Sequence, residues 1–77
     1  MMTVTELQRL YQEHLLVEAI IESSAEENAW IVEFRDSCGG LVLLTDIYGK
    51  ECHCHDLEDA SRLAQKVGFK QVSIANK

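Results

Sequence analysis

Val4, Leu7, Leu10, Tyr11 and Leu15 recur at intervals of three and four, the spacing of one apolar helix face. Thr3 stands where its hydroxyl would cap the amide of Glu6, and Glu6 where it would reach back, a capping box. Met2 and Leu7 occupy the positions of a hydrophobic staple. Carrying the stripe further would bury Glu18, so the pattern predicts that the helix ends near Leu15. From Leu16 to Ser23 the pattern becomes an alternation, with Val17, Ala19 and Ile21 on one face and Glu18, Ile20 and Glu22 on the other. That is the pattern of a strand.

A polar connection over residues 24–28 leads to the clearest strand, Ala29 to Arg35. There Trp30, Val32 and Phe34 oppose Ile31, Glu33 and Arg35. Asp36 to Gly40 reads as a turn, since glycine takes positive φ without penalty. Leu41 to Thr45 reads as a third strand, Asp46 to Lys50 as a second turn, and Glu51 to His55 as a short fourth strand. Asp56 is placed to cap a second helix, with Glu58 and Asp59 at the positive end of its dipole. Leu57, Ala60, Leu63, Ala64 and Val67 form its buried stripe, and Gly68 its stop. Phe69 to Ala75 completes the pattern as a last strand. The predicted class is α+β: an antiparallel β-meander with an N-terminal helix and a second helix before the last strand, in the order α-β-β-β-β-α-β. If the last strand lies at a sheet edge, its free backbone groups offer a template for a second copy.

Seventy-seven residues, 47% of them apolar, are expected to form one small domain spanning residues 1–77. No proline is present, only four glycines, and no internal repeat is apparent. The net charge of −6 comes from 13 acids against 7 bases. The excess is local: Glu6, Glu13, Glu18, Glu22, Glu26 and Glu27 face only Arg9 over residues 1–28. That half repels phosphate backbones and anionic membranes. Arg62, Lys66 and Lys70 are scattered bases, and groove binding needs a clustered stripe. No segment reads as a leader or a membrane span, so a cytoplasmic location is expected. Three cysteines in a reducing compartment would be free thiols.

Cys52-His53-Cys54-His55, with Cys38, is the one cluster of metal-binding side-chain types. On a strand, neighbours point to opposite faces, so Cys52 and Cys54 diverge from His53 and His55. A tetrahedral zinc site would need Cys38, Cys52 and Cys54 to converge, with His53 or His55 joining through a bulge. Small, partly buried thiols are the simpler expectation, and no cofactor is expected. The same divergence separates Cys54 from either histidine as a nucleophile and base, and no catalytic residue is assigned. Gly39-Gly40 lacks the Lys-Ser/Thr and following helix of a phosphate loop.

In element order, a helix, three strands and a helix, the chain resembles the double-stranded RNA-binding domain. It carries Asp56, Glu58 and Asp59 where that family carries its basic patch. Trp30-Ile31-Val32-Glu33-Phe34 with Asp56-Leu57-Glu58-Asp59-Ala60 is similar to HicB-type antitoxins, with Leu41 to Lys50 as an insertion. Gly49, residues 51–55 and 56–67, and Gly68-Phe69 resemble the turn, strand, helix and Gly-Phe strand of short bacterial proteins of unknown function. These resemblances imply a meander packed against a helix and bring no functional residue with them. The expected function is non-enzymatic binding of another protein, a second copy included. One alternative is a metal-binding or redox-responsive regulator using Cys38, Cys52 and Cys54. Another is a nucleic-acid accessory protein of plasmid or toxin control.

Overall fold

The computed structural model describes residues 2–24 and 29–75. The polar connection expected over residues 24–28 lies, beyond Ser24, outside the described residues. Six elements follow in order: α1 (Val4–Gln12), β1 (Leu16–Ser24), β2 (Ala29–Asp36), β3 (Leu41–Leu43), α2 (Leu57–Val67) and β4 (Ser73–Ala75). The class is α+β, and the strands form one sheet in the order β3-β2-β1-β4. The pairs β1–β2 and β2–β3 are antiparallel, as a meander requires. β4 runs parallel to β1, with Ile20, Ile21 and Glu22 beside Ser73, Ile74 and Ala75. The sheet is therefore mixed, not a pure antiparallel meander. The long return through α2 delivers the last strand to the opposite edge in the same direction as β1, which a tight hairpin could not do.

α1 begins with the expected capping box: the Glu6 amide donates to the Thr3 hydroxyl at 3.4 Å, and the Thr3 amide reaches Glu6 Oε1 at 3.5 Å. It ends earlier than the periodicity predicts. Glu13 is its cap, and His14 takes a left-handed φ of 61°, which turns Leu15 outward. The next departure is a β-bulge. Leu16 pairs with Asp36 and Glu18 with Arg35, so Val17 is the extra residue. The bulge buries Leu16 and turns Val17 to solvent at 57% exposure, whereas simple alternation puts Val17 inside with Ala19 and Ile21.

Both helices lie on one face of the sheet. α1 packs on α2 and β1, and α2 on β1 and β2. Between them Leu7, Ala19, Ile21, Val32, Phe34, Ala60, Ala64 and Val67 form the core. Leu63, expected in the buried stripe of α2, and Trp30 are only partly buried at the core's margin. The two alanines of α2 let the helix come close to the sheet, and an aromatic row closes the end. Phe34 and Phe69 have ring centroids 5.7 Å apart, and Phe69 meets Tyr11 edge-on at 4.8 Å. The Gln8 side chain donates to the Lys66 carbonyl at 2.7 Å and ties α1 to the end of α2.

Two expected strands are shorter or absent. Of residues 69–75 only Ser73–Ala75 pairs, while Phe69 and Val72 turn toward the core. Residues 51–55 form no strand. They make two isolated bridges, Glu51 to Thr45 and Cys54 to Trp30. The segment first returns along β3, with the Cys52 amide on the Leu44 carbonyl at 3.2 Å. It then crosses to the start of β2, where Cys54 and Trp30 exchange hydrogen bonds of 2.8 Å. No long ladder forms because the segment changes neighbours within three residues.

Candidate functional site

The thiols and histidines are placed by that crossing segment. Cys54 is buried at 7% exposure, Cys52 is half-buried against Leu44, and both touch the hydrophobic core. Burial pushes both thiols above the ordinary value. Asp46 adds to the effect at Cys52, and Cys52, Asp59 and Asp56 add to it at Cys54. His53 Nε2 stands 3.6 Å from Glu51 Oε2, and His55 is exposed. Cys38 belongs to a different place. It sits exposed in the turn before Leu41, whereas Cys52 pairs beside Leu44. Three residue steps along β3 separate those points, about 10 Å of extended chain. Among the described residues no three His, Cys, Asp or Glu side chains converge to hold a metal ion.

The turns themselves repeat one design. Asp36 Oδ1 accepts from the amides of Cys38 and Gly40, both at 2.9 Å. Its backbone amide donates to the Gly40 carbonyl, and its carbonyl accepts from Gly39. Asp46 does the same in the second turn. Its Oδ1 accepts from Tyr48 at 2.8 Å and Lys50 at 3.0 Å, its amide donates to Lys50 and its carbonyl accepts from Gly49. Gly39 and Gly49 take φ of 92° and 82°, the left-handed value each turn requires. The two central residues differ: Ser37-Cys38 in one turn, Ile47-Tyr48 in the other. Ile47 and Tyr48 are 65% and 87% exposed.

The sheet face away from the helices is a surface that the sequence pattern alone does not reveal. Register places Ile20, Glu33 and Leu43 side by side on β1, β2 and β3, with Ile31 and Leu41 on the same face. Leu41 is 55% exposed, and Ile20, Ile31 and Leu43 are partly exposed. None of these four belongs to the core or packs against it. Glu33 is buried to 6% exposure among them. Arg35 Nε donates to Glu18 Oε1 at 3.3 Å on the same face. The signal was present as Ile20 and Ile31, two apolar residues on faces otherwise read as polar.

A cleft of about 500 Å³ opens where the segment after α2 stands away from the bulged start of β1. Tyr11, Val17, Glu18, Phe69, Lys70 and Ser73 are among its walls. Its carboxylate is already engaged: Glu18 takes Arg35 on one oxygen and the Ser73 hydroxyl, at 2.9 Å, on the other. At the far end of α2, Arg62 is held by Glu58 at 2.9 Å and Asp59 at 3.0 Å. Among the described residues no helix is long and apolar enough to cross a membrane. No protein-family model, no curated protein and no solved structure matches the chain.

Proposed function

We propose that the protein is a small cytoplasmic, non-enzymatic domain that works by binding another protein. One observation carries this reading: the sheet face opposite the helices bears Ile20, Ile31, Leu41 and Leu43 on three adjacent strands. A sheet with one face in water ordinarily alternates polar residues outward. Contiguous apolar side chains at outward positions mark a surface that a partner covers. The Glu18–Arg35 pair supplies a polar rim.

The alternatives draw less support from the same geometry. A regulator built on Cys38, Cys52 and Cys54 needs Cys38 beside the other two thiols, and β3 separates it from them. A nucleic-acid accessory role using Arg62, Lys66 and Lys70 needs a clustered basic stripe, and Arg62 is already held by Glu58 and Asp59. The test is an affinity capture from lysate with the wild-type chain and an Ile31→Lys/Leu43→Lys variant, whose substitutions leave the core untouched. A partner retained by the wild type and lost by the folded variant is the expected result. Equal capture by both would remove the sheet face from the account.

A further inference from the structure

The open sheet face has a charge as well as a shape. Cross-strand register sets Glu18, Arg35 and Leu41 in one row. Ile20, Glu33 and Leu43 form the next row, and Glu22 and Ile31 a third. At the margin β4 adds only the uncharged Ser73 and Ala75. On these paired positions three carboxylates stand against one guanidinium, which Glu18 already holds at 3.3 Å. The acids are set among the apolar residues, not apart from them. Glu22 is half-buried beside Ile31, and Glu33, between Ile20 and Leu43, is only 6% exposed.

This pattern decides what covers the face. Any occupant takes water from the carboxylates, so a purely apolar one forfeits their hydration and replaces it with nothing. A second copy laid face to face brings the same excess of negative charge and is repelled. Nucleic acid and anionic lipid meet the same objection. The occupant that fits carries lysine or arginine beside apolar side chains. The net charge of −6 adds a longer-range attraction of the same sign. Dimensions fix its form. From β1 to β3 is two strand spacings, about 10 Å, the width of one helix. From the row of Glu18 to the row of Glu22 is about 13 Å along the strand, between two and three helical turns. The opposite face already takes two helices, and one more would complete a helix–sheet–helix sandwich.

We propose that the open face binds one basic amphipathic helix of another protein. Its apolar side would lie on Ile20, Ile31, Leu41 and Leu43, and its lysines or arginines would reach Glu22 and Glu33. Long cationic side chains do this by laying their stems along apolar surface. The proposal rests on the reading of this face as a protein-binding surface and adds the chemistry of the partner. The probe is a synthetic helical peptide with leucines on one side and lysines on the other, titrated into the labelled full chain and followed by amide NMR shifts. One control peptide has glutamate for lysine, and a second has the same composition in scrambled order. The leucine–lysine helix should shift residues of β1, β2 and β3 and bind roughly 10-fold or more tighter than the scrambled peptide, while the leucine–glutamate helix should not bind. Glu22→Lys should weaken binding roughly 10-fold, and Glu22→Gln should weaken it less. Glu13→Lys makes the same change of net charge on exposed α1 and should leave binding within about 2-fold. Ile31→Lys/Leu43→Lys should abolish it, and the amide spectrum shows directly that each variant is folded. Equal binding of the glutamate helix, or equal loss from Glu13→Lys and Glu22→Lys, would overturn the cationic partner. Shifts gathered on the helices, or no binding by any peptide, would overturn it too. In each case a lysate capture that still depends on Ile31 and Leu43 would leave the sheet face standing as a docking surface.

Discussion

Gly68 closes α2 with φ 142° and ψ −7°, a conformation that side-chain-bearing residues avoid. A methyl group added there would stand 2.5 Å from Cδ2 and Cε2 of Tyr11 and 2.9 Å from Cζ. Gly68→Ala thus carries two penalties. The backbone strain costs about 1–3 kcal/mol. Moving the ring forfeits the edge-on contact with Phe69, about 0.5–1.5 kcal/mol. We predict a loss near 3 kcal/mol. For 77 residues, at roughly 0.05–0.15 kcal/mol each, the whole stability is about 4–12 kcal/mol. The variant should melt about 12–24 °C lower. Urea unfolding followed by circular dichroism measures the difference, and Tyr11→Ala completes a cycle. Without the ring the methyl loses its three nearest neighbours, so the double variant should lose about 1 kcal/mol less than the sum of the singles. Additivity within about 0.5 kcal/mol would refute the contact between residue 68 and the ring. A Gly68→Ala cost under about 1 kcal/mol would refute the strained cap itself.

Phe34→Ala, at a fully buried position, should cost about 3–5 kcal/mol, read from a lower urea midpoint with the slope unchanged. Thr3→Ala should cost about 0.5–2 kcal/mol and fray α1 first, seen as faster amide exchange over its first turn. A thiol reagent should modify exposed Cys38 well before Cys52 and Cys54 in the native chain, and similar rates at all three would contradict the packing of residues 51–54. The raised thiols also set a pH dependence. The unfolded thiols ionise near the ordinary 9.0 while the folded ones keep their protons, so the folded state binds more protons and stability falls as pH climbs past that value. Cys52→Ser/Cys54→Ser should show a shallower decline between pH 8 and 10 than the wild type, and an equal or steeper one would reverse the assignment.

Local chemistry was the legible part of the chain. The capping box at Thr3, the Asp56 cap, the Gly68 stop and both aspartate–glycine turns form where the residues indicate, because each depends on neighbours within a few positions. Departures arise where distant contacts override a short pattern. His14 stops α1 in a left-handed conformation that histidine enters more often than most residues but that no local periodicity marks, and the bulge at Val17 exchanges Leu16 for Val17 in the core. Residues 51–55 alternate like a strand, yet Leu44 and Trp30 each claim one end. The direction of β4 is set by the path of α2, which periodicity does not encode. The Cys and His cluster drew attention by composition, whereas Ile20, Ile31, Leu41 and Leu43 form a surface only once three strands are in register.

The uncovered sheet face is the centre of the account, and a photo-crosslinker placed on it gives the most direct test. A benzoylphenylalanine at Ile31, on that face, is compared with one at Gln65, exposed on α2, in cells that make the protein. The account predicts a discrete crosslinked species from position 31 and none from position 65. Its mass separates a second 8.7 kDa chain from a different partner. Crosslinks of equal yield from both positions, or none from position 31 in a correctly folded chain, would contradict it.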